Sequence, residues 1–280
     1  MVKSGPIVDP ARASAAERSD ALSPGNRERM DLRSDPATLE PLSRRLAQRV
    51  TLSLDDRNAI AALPFTLKTM ERGQFLVRER ELASHSCVML SGYSIRSKLA
   101  ATGMRQILAI HMKGEFVDLQ NSMLKVADHS VQMLTAGRVA LIPRDEIIQL
   151  TLERPTIGHA MWIDTLVDGS IFREWIVNIG RRDARTRLAH LLCEFALRLK
   201  LAGLGRDDGY ELPMTQEQLA DATGLTSVHV NRTIKTLEAE GLITRPNPRS
   251  IHIGDWRKLA EEGDFDSNYL HLRSDEAALA

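Results

Sequence analysis

The chain has 280 residues, 43% hydrophobic and 26% charged, and its 37 Lys and Arg are matched by 37 Asp and Glu. That length suits two ordinary domains and that composition a soluble globular protein, but the zero net charge means that a polyanionic partner must be argued from a local patch. Two cysteines, Cys87 and Cys193, exclude a disulfide framework, a cysteine-rich zinc module and an all-cysteine iron–sulfur centre within one chain.

No apolar run approaches the roughly 18 residues of a membrane span, and the N-terminus has no apolar signal core, so a reducing cytoplasm is the expected compartment. Residues 1–38 are rich in Ser, Ala, Arg, Asp and Pro. They bury too little surface to offset their ordering entropy and read as a disordered tail. A short helix is expected around "PLSRRLAQRVTLS" and "LDDRNAIAAL". From Phe65 to Ile142, short apolar runs recur between turn residues: "FTLKTM", "GQFLVRE", "CVMLSG", "YSIRSKLA", "RQILAIHMKGEF", "HSVQML", "RVALIPR". This rhythm predicts a compact antiparallel β domain, with Thr102-Gly103 as a hairpin turn. "RDEIIQLTLERP" reads as a helix that stops near Pro155.

A long helix follows, roughly 156–179. Its apolar positions Ile157, Met161, Val167, Ile171, Trp175 and Ile179 lie mostly on one stripe, interrupted by Asp164. That stripe has to be buried. A second copy of the chain is the economical cover, and the chain's own β domain is the alternative. "RRDARTRLAHLLCEFALRLKLAG" is a further helix, apolar along Leu188, Leu191, Leu192, Phe195 and Leu199, and a loop spans Gly203 to Gly209.

The most patterned stretch is "MTQEQLADATGLTSVHVNRTIKTLEAEGL". Thr215 with Gln218 three residues on makes a capping box. Leu219 and Ala220 face inward, and Gly224 suits a left-handed turn position. A second helix, 226–240, buries Val230, Ile234 and Leu237 and stops at Gly241. "LITRPNPRSIHI" then reads as strand, turn and strand. The whole is a winged helix-turn-helix, a DNA-reading device; a helical pair used only for packing is the bland alternative. Ser227, His229, Asn231 and Arg232 are the candidate base readers. Thr215, Gln216, Thr226, Lys235 and Arg249 are the candidate contacts to the DNA backbone. Local charge is modest: residues 181–200 hold six Lys/Arg against two Asp/Glu, and residues 213–258 hold six against five.

"GRRDARTRLAHLL", the helix-turn-helix stretch and the wing together resemble the Crp/Fnr family of bacterial transcription regulators. "LSGYSIRSKL" and "QILAIHMKGEFVDL" are similar to that family's cyclic-nucleotide-binding-like β-roll. The likeness runs over roughly residues 42–262, and the helix-turn-helix is its specific part. It implies an α+β chain with an N-terminal antiparallel β-roll, a long dimerisation helix and a C-terminal winged helix-turn-helix. The boundaries are a tail 1–38, a sensor domain 39–155, a dimer helix 156–180, a DNA-binding domain 181–262 and a tail 263–280. Also implied are a homodimer, a palindromic double-stranded DNA site and contact with RNA polymerase. Family members commonly carry Glu and Arg one turn apart on the recognition helix. Arg232 matches the Arg, but Val228 stands at the Glu position and offers only apolar contact, for example to a thymine methyl.

Cyclic-nucleotide binders of the family pair Gly-Glu with Arg-Ser or Arg-Ala. Gly114, Glu115 and Ser130 match, but His129 stands where Arg is needed, and a neutral His is a poor phosphate partner. Lys125 is a substitute that no pattern places. Gly114, Glu115, His129 and Ser130 are therefore the candidate effector pocket of a site not expected to take a cyclic nucleotide. The iron–sulfur branch needs cysteines near the N-terminus, and none are there. His111, His129 and His159 keep a haem reading open. Cys193 is a candidate redox switch if neighbouring Arg residues stabilise its thiolate, and otherwise a small buried hydrophobe. FixK-like members, several of which act without a known small ligand, resemble the chain most. No metal, cofactor or catalytic constellation is expected: phosphate loop, Gly-x-Ser-x-Gly, HExxH and dinucleotide fingerprint are all missing. A sensor or adaptor that uses the β-roll without DNA is the competing class.

Overall fold

The computed structural model describes residues 35–205 and 209–272. Residues 1–34 of the expected tail lie outside them, but its last residues are ordered. Asp35 accepts a hydrogen bond from the Ala37 amide at 3.0 Å and caps a 3-10 turn, Pro36–Leu39, whose Leu39 is buried. Helix α1, Glu40–Ala47, and helix α2, Leu54–Ala61, follow. Ser53 and Asp56 form a capping box at the start of α2. Leu42, Leu46 and Ile60 bury against Val88, Ala140 and Ile142, so the N-terminal helices close one side of the β domain.

Seven strands make that domain: β1 Thr66–Met70, β2 Phe75–Val77, β3 His85–Ser91, β4 Ser94–Leu99, β5 Arg105–His111, β6 Ser130–Met133 and β7 Gly137–Pro143. They form two antiparallel sheets in the orders β1-β7-β3 and β2-β6-β4-β5. The β4–β5 turn closes with Gly103 N donating to Ala100 O at 2.9 Å, and Gly103 takes φ +81°, which a side chain would strain.

Helix α3, Arg144–Glu153, leads into α4, Pro155–Arg181, whose first turn tolerates proline because its amide would have no partner. The expected stripe of α4 is covered by the chain itself, not by a second copy. Ile157, Met161, Val167, Ile171 and Trp175 are each at most 5% exposed. The first two pack with the N-terminal helices, and the other three pack with Ile107, Ile110, Leu192 and Phe195. Asp164 interrupts the stripe because it anchors α1, accepting from Arg45 Nε at 3.0 Å and Arg49 Nε at 2.9 Å.

Helix α5, Ala184–Leu201, is capped by Asp183. Strand β8, Tyr210–Glu211, helix α6, Gln216–Thr223, helix α7, Ser227–Ala239, strands β9, Ile243–Thr244, and β10, Ser250–Ile253, and helix α8, Trp256–Glu262, complete the C-terminal part. The wing sheet runs β8-β10-β9. Residues 263–272 are not a tail. Phe265, Tyr269 and Leu270 fold back, with Tyr269 Oη donating to the buried Glu194 at 2.8 Å and Phe265 edge-on to His190. Their apolar side chains supply the reason. Residues 273–280 lie outside the described residues.

Candidate nucleic-acid interface and the inter-element cavity

The helix-turn-helix is built by local chemistry. Thr215 and Gln218 form the capping box of α6, and Gly224 takes φ +65° in the turn. Thr226 caps α7 by accepting from the His229 amide at 3.2 Å. In both threonines the oxygen is the acceptor, so each hydroxyl proton stays free to donate to a phosphate. Val230, Ile234 and Leu237 are buried and turn the other face of α7 outward. Ser227, Val228, His229, Arg232 and Lys235 are exposed on it, and Arg249 is exposed at the wing tip. The wing turn is fixed by Asn247, which accepts from the amides of Arg249 and Ser250. Asn231 departs from the expected set. It is half-buried, and its Oδ1 accepts from Gln216 Nε2 at 3.2 Å, so these two side chains steady one another between α6 and α7.

Ion pairing sorts the basic residues more sharply than charge counting does. Arg185 pairs with Glu240 and Glu262, Arg182 with Glu174 and Asp264, Arg198 with Glu115 and Glu194, and Arg245 with Glu238. Arg187 donates to the Thr223 and Arg182 carbonyls. The basic run at 181–200 is therefore largely structural. Among the described residues, Arg232, Lys235 and Arg249 have no acidic partner, and they lie on the recognition helix and the wing.

The proposed effector residues do not converge. Gly114 takes φ +89°, and a Cβ there would lie 2.7 Å from the Pro41 carbonyl, so it is a packing point under α1. Ser130 accepts from the Glu79 amide at 3.0 Å. His129 is buried, with Nδ1 2.6 Å from Asp128 and Nε2 3.2 Å from Gln120. Burial and Arg96 push its pKa below the usual histidine value. Of the four, Glu115 alone reaches the cavity between β-roll and α4, which is lined by Arg45, Arg96, His111, Asp164, Asp168 and Arg198 among others. The cavity measures about 30 Å³, room for about two waters. Glu115 is already engaged there, taking Arg198 Nη2 at 3.1 Å on both oxygens. Burial alone would raise this carboxyl, but Arg198, His111 and Arg45 outweigh it and hold it far below the usual carboxylate range. With its Glu committed and its Arg replaced, this site does not fit a cyclic nucleotide. Of the three histidines of the haem reading, His111 lines the cavity, His129 is buried against Asp128 and Gln120, and His159 is exposed on α4.

Arg198 also donates to Glu194 of its own helix at 3.1 Å and to the Ile110 carbonyl at 2.6 Å, tying α5 to β5 and the loop after it. A second tie is Arg105 of β5 to Asp221 of α6 at 2.7 Å. Replacing Arg198 by methionine leaves the buried Glu194 without its cation and Glu115 with only the Arg45 guanidinium at 3.8 Å. The expected loss is about 3–5 kcal/mol of unfolding free energy, read by urea denaturation at neutral pH.

Asp118 offers a pH test. It is 1% exposed and accepts from the Cys87 amide at 2.7 Å and Asn121 Nδ2 at 3.2 Å. Burial pushes its carboxyl up to about 6. The folded state therefore holds a proton that the unfolded chain, titrating near 4, has released. The resulting stability is complete below about pH 4 and is lost as pH rises to 6. Asp118→Asn is expected to lose about 2–3 kcal/mol less than the natural chain between pH 4 and pH 7 in urea unfolding.

Cys193 is fully buried, and burial alone pushes its thiol upward; no arginine contributes. It is a core residue beside Phe195 and Leu192, not a stabilised thiolate. Sequence reasoning missed another surface, the outer face of α4, where Trp162 is 66%, Leu166 56%, Ile176 70% and Val177 44% exposed. Among the described residues, no helix is long and apolar enough to cross a membrane.

Residues 67–154 match the family described as a cyclic nucleotide-binding domain, and residues 186–262 match the Crp-like helix-turn-helix domain. The transcriptional activator protein FnrL of Cereibacter sphaeroides is 25% identical over 204 residues, covering 72% of this chain and 82% of its own. The nitrogen fixation regulation protein FixK of Bradyrhizobium diazoefficiens is 29% identical over 172 residues, 61% of this chain and 71% of its own. In fold, the chain is similar to FixK2 from Bradyrhizobium japonicum, with a TM-score of 0.66 at 22% identity, over 71% of this chain and 96% of that one.

Proposed function

The chain belongs to the Crp/Fnr family of transcription regulators, and from that premise we propose that it is a homodimer that reads a palindromic DNA site with α7 and needs no exchangeable small ligand. The observation that carries the reading is the set of uncommitted cations. Arg232, Lys235 and Arg249 stand free on the recognition helix and wing, while Arg182, Arg185, Arg187, Arg198 and Arg245 are engaged within the chain. Arg232 is the guanine reader through O6 and N7. Ser227 and His229 are further base readers, and Asn231 acts with Gln216 as a positioning pair. Lys235, Arg249, Thr215 and Thr226 meet phosphates, which fixes register without specifying sequence.

Independence from a cyclic nucleotide is supported by the Glu115–Arg198 pair, which commits within the chain the carboxylate that matches the Gly-Glu of the family's nucleotide binders. Control would then rest on how much of the protein is present. The test is selection from a random duplex pool with purified protein and nothing added. Enrichment of a palindrome supports both parts of the proposal. Enrichment only when a cyclic nucleotide is present would overturn the ligand-free part, and no enrichment under either condition would overturn the DNA reading.

A further inference from the structure

The outward face of α7 is polar except at one place. Val228 is 72% exposed, whereas Val230, Ile234 and Leu237 of the same helix are at most 2% exposed. A β-branched side chain standing in water at the second residue of a helix gains no packing and adds nothing to helix propensity. The fold does not call for it. Val228 precedes Arg232 by one turn, so the two share a face with Cβ atoms about 5–6 Å apart, less than two base-pair steps of about 3.4 Å. In helix-turn-helix proteins, it is the N-terminal residues of the second helix that meet base edges in the major groove. The apolar group presented there by the four ordinary bases is the C5-methyl of thymine. Valine has no donor or acceptor, so it leaves the N4 amino group of an unmethylated cytosine unpaired once water is expelled.

Resting on the DNA reading above, we propose that Val228 is a specificity determinant that reads a pyrimidine C5-methyl one or two base pairs from the guanine held by Arg232. Each half-site then carries a thymine at that place. 5-Methylcytosine, which presents the same methyl group, is preferred there over cytosine. The recognition code of this helix thus pairs one charged, hydrogen-bonding contact with one apolar contact.

The test uses the full-length protein and the palindrome recovered from the random pool. Each thymine is replaced in turn by deoxyuridine, in both half-sites together, and binding is followed by fluorescence anisotropy. One position is expected to be methyl-sensitive, with a loss of about fourfold per half-site and roughly fifteenfold for the symmetric duplex. At the same position, 5-methylcytosine is expected to bind about fourfold better per half-site than cytosine. Val228→Ala, which keeps only Cβ, is expected to bring both ratios well below fourfold per half-site while keeping the preference for the guanine, which also shows that the variant is folded. The proposal is overturned if no thymine is methyl-sensitive or if Val228→Ala keeps the same ratios. Failure to recover any palindrome, by contrast, strikes at the DNA reading itself.

Discussion

Replacing Arg232 by alanine is expected to remove sequence selectivity while leaving a weak, salt-dependent affinity for any duplex. A bidentate contact to guanine discriminates against other bases by about 1–3 kcal/mol. In a two-fold complex the loss occurs twice, so affinity for the selected site should fall from roughly 30-fold to beyond a thousandfold. The residual binding should come from Lys235, Arg249 and the threonine hydroxyls, and its dependence on salt should persist because phosphate neutralisation would still release counterions. Arg249→Ala should behave differently. It should weaken binding to selected and random duplexes alike and flatten the salt dependence by about one counterion per subunit. Titrations of both variants on both duplexes at several salt concentrations separate the roles. An equal loss on selected and random DNA for Arg232→Ala would remove it as a base reader.

The elements legible in the sequence were those fixed by short-range chemistry. The Thr215–Gln218 box, the left-handed Gly224, the inward set Val230, Ile234 and Leu237, and the turn at Gly103 each depend on residues within a few positions of one another. The illegible parts depend on contacts far apart in the chain. Arg198 and Glu115 are 83 residues apart, and no periodicity announces that they meet in the cavity. The basic run at 181–200 stood in the sequence only as a modest local excess, because charge counting cannot see Glu174, Glu240 and Glu262 across the fold. On α4, both faces of the helix are apolar, and periodicity located the one that packs inward. Asp164 stood in the sequence only as an interruption of the stripe; its cations, Arg45 and Arg49, come from the N-terminal segment of the same chain, far away in sequence.

The other face of α4 gives the second large effect. Trp162, Leu166, Gly169, Arg173, Ile176 and Gly180 follow alternating steps of four and three, the spacing of a two-stranded coiled-coil seam. Trp162, Leu166 and Ile176 stand more than half exposed there. Arg173 is drawn aside by Ser170 Oγ at 2.7 Å, and the two glycines leave room for close approach. A two-fold axis along this face would set each residue near its own counterpart. The double variant Leu166→Glu, Ile176→Glu removes four apolar side chains from such an interface, each contributing about 1.5–3 kcal/mol when buried, and places like charges opposite one another. It is expected to sediment as a monomer at micromolar concentration, with its thermal midpoint for unfolding the subunit little changed. Affinity for the palindrome should fall steeply, because two half-sites would no longer be bound by one linked body. Trp175→Ala, on the inward face, should do the reverse: lower subunit stability by about 3–5 kcal/mol and leave association intact. A double variant that remains dimeric in sedimentation velocity would exclude the Leu166–Ile176 face as the dimer seam.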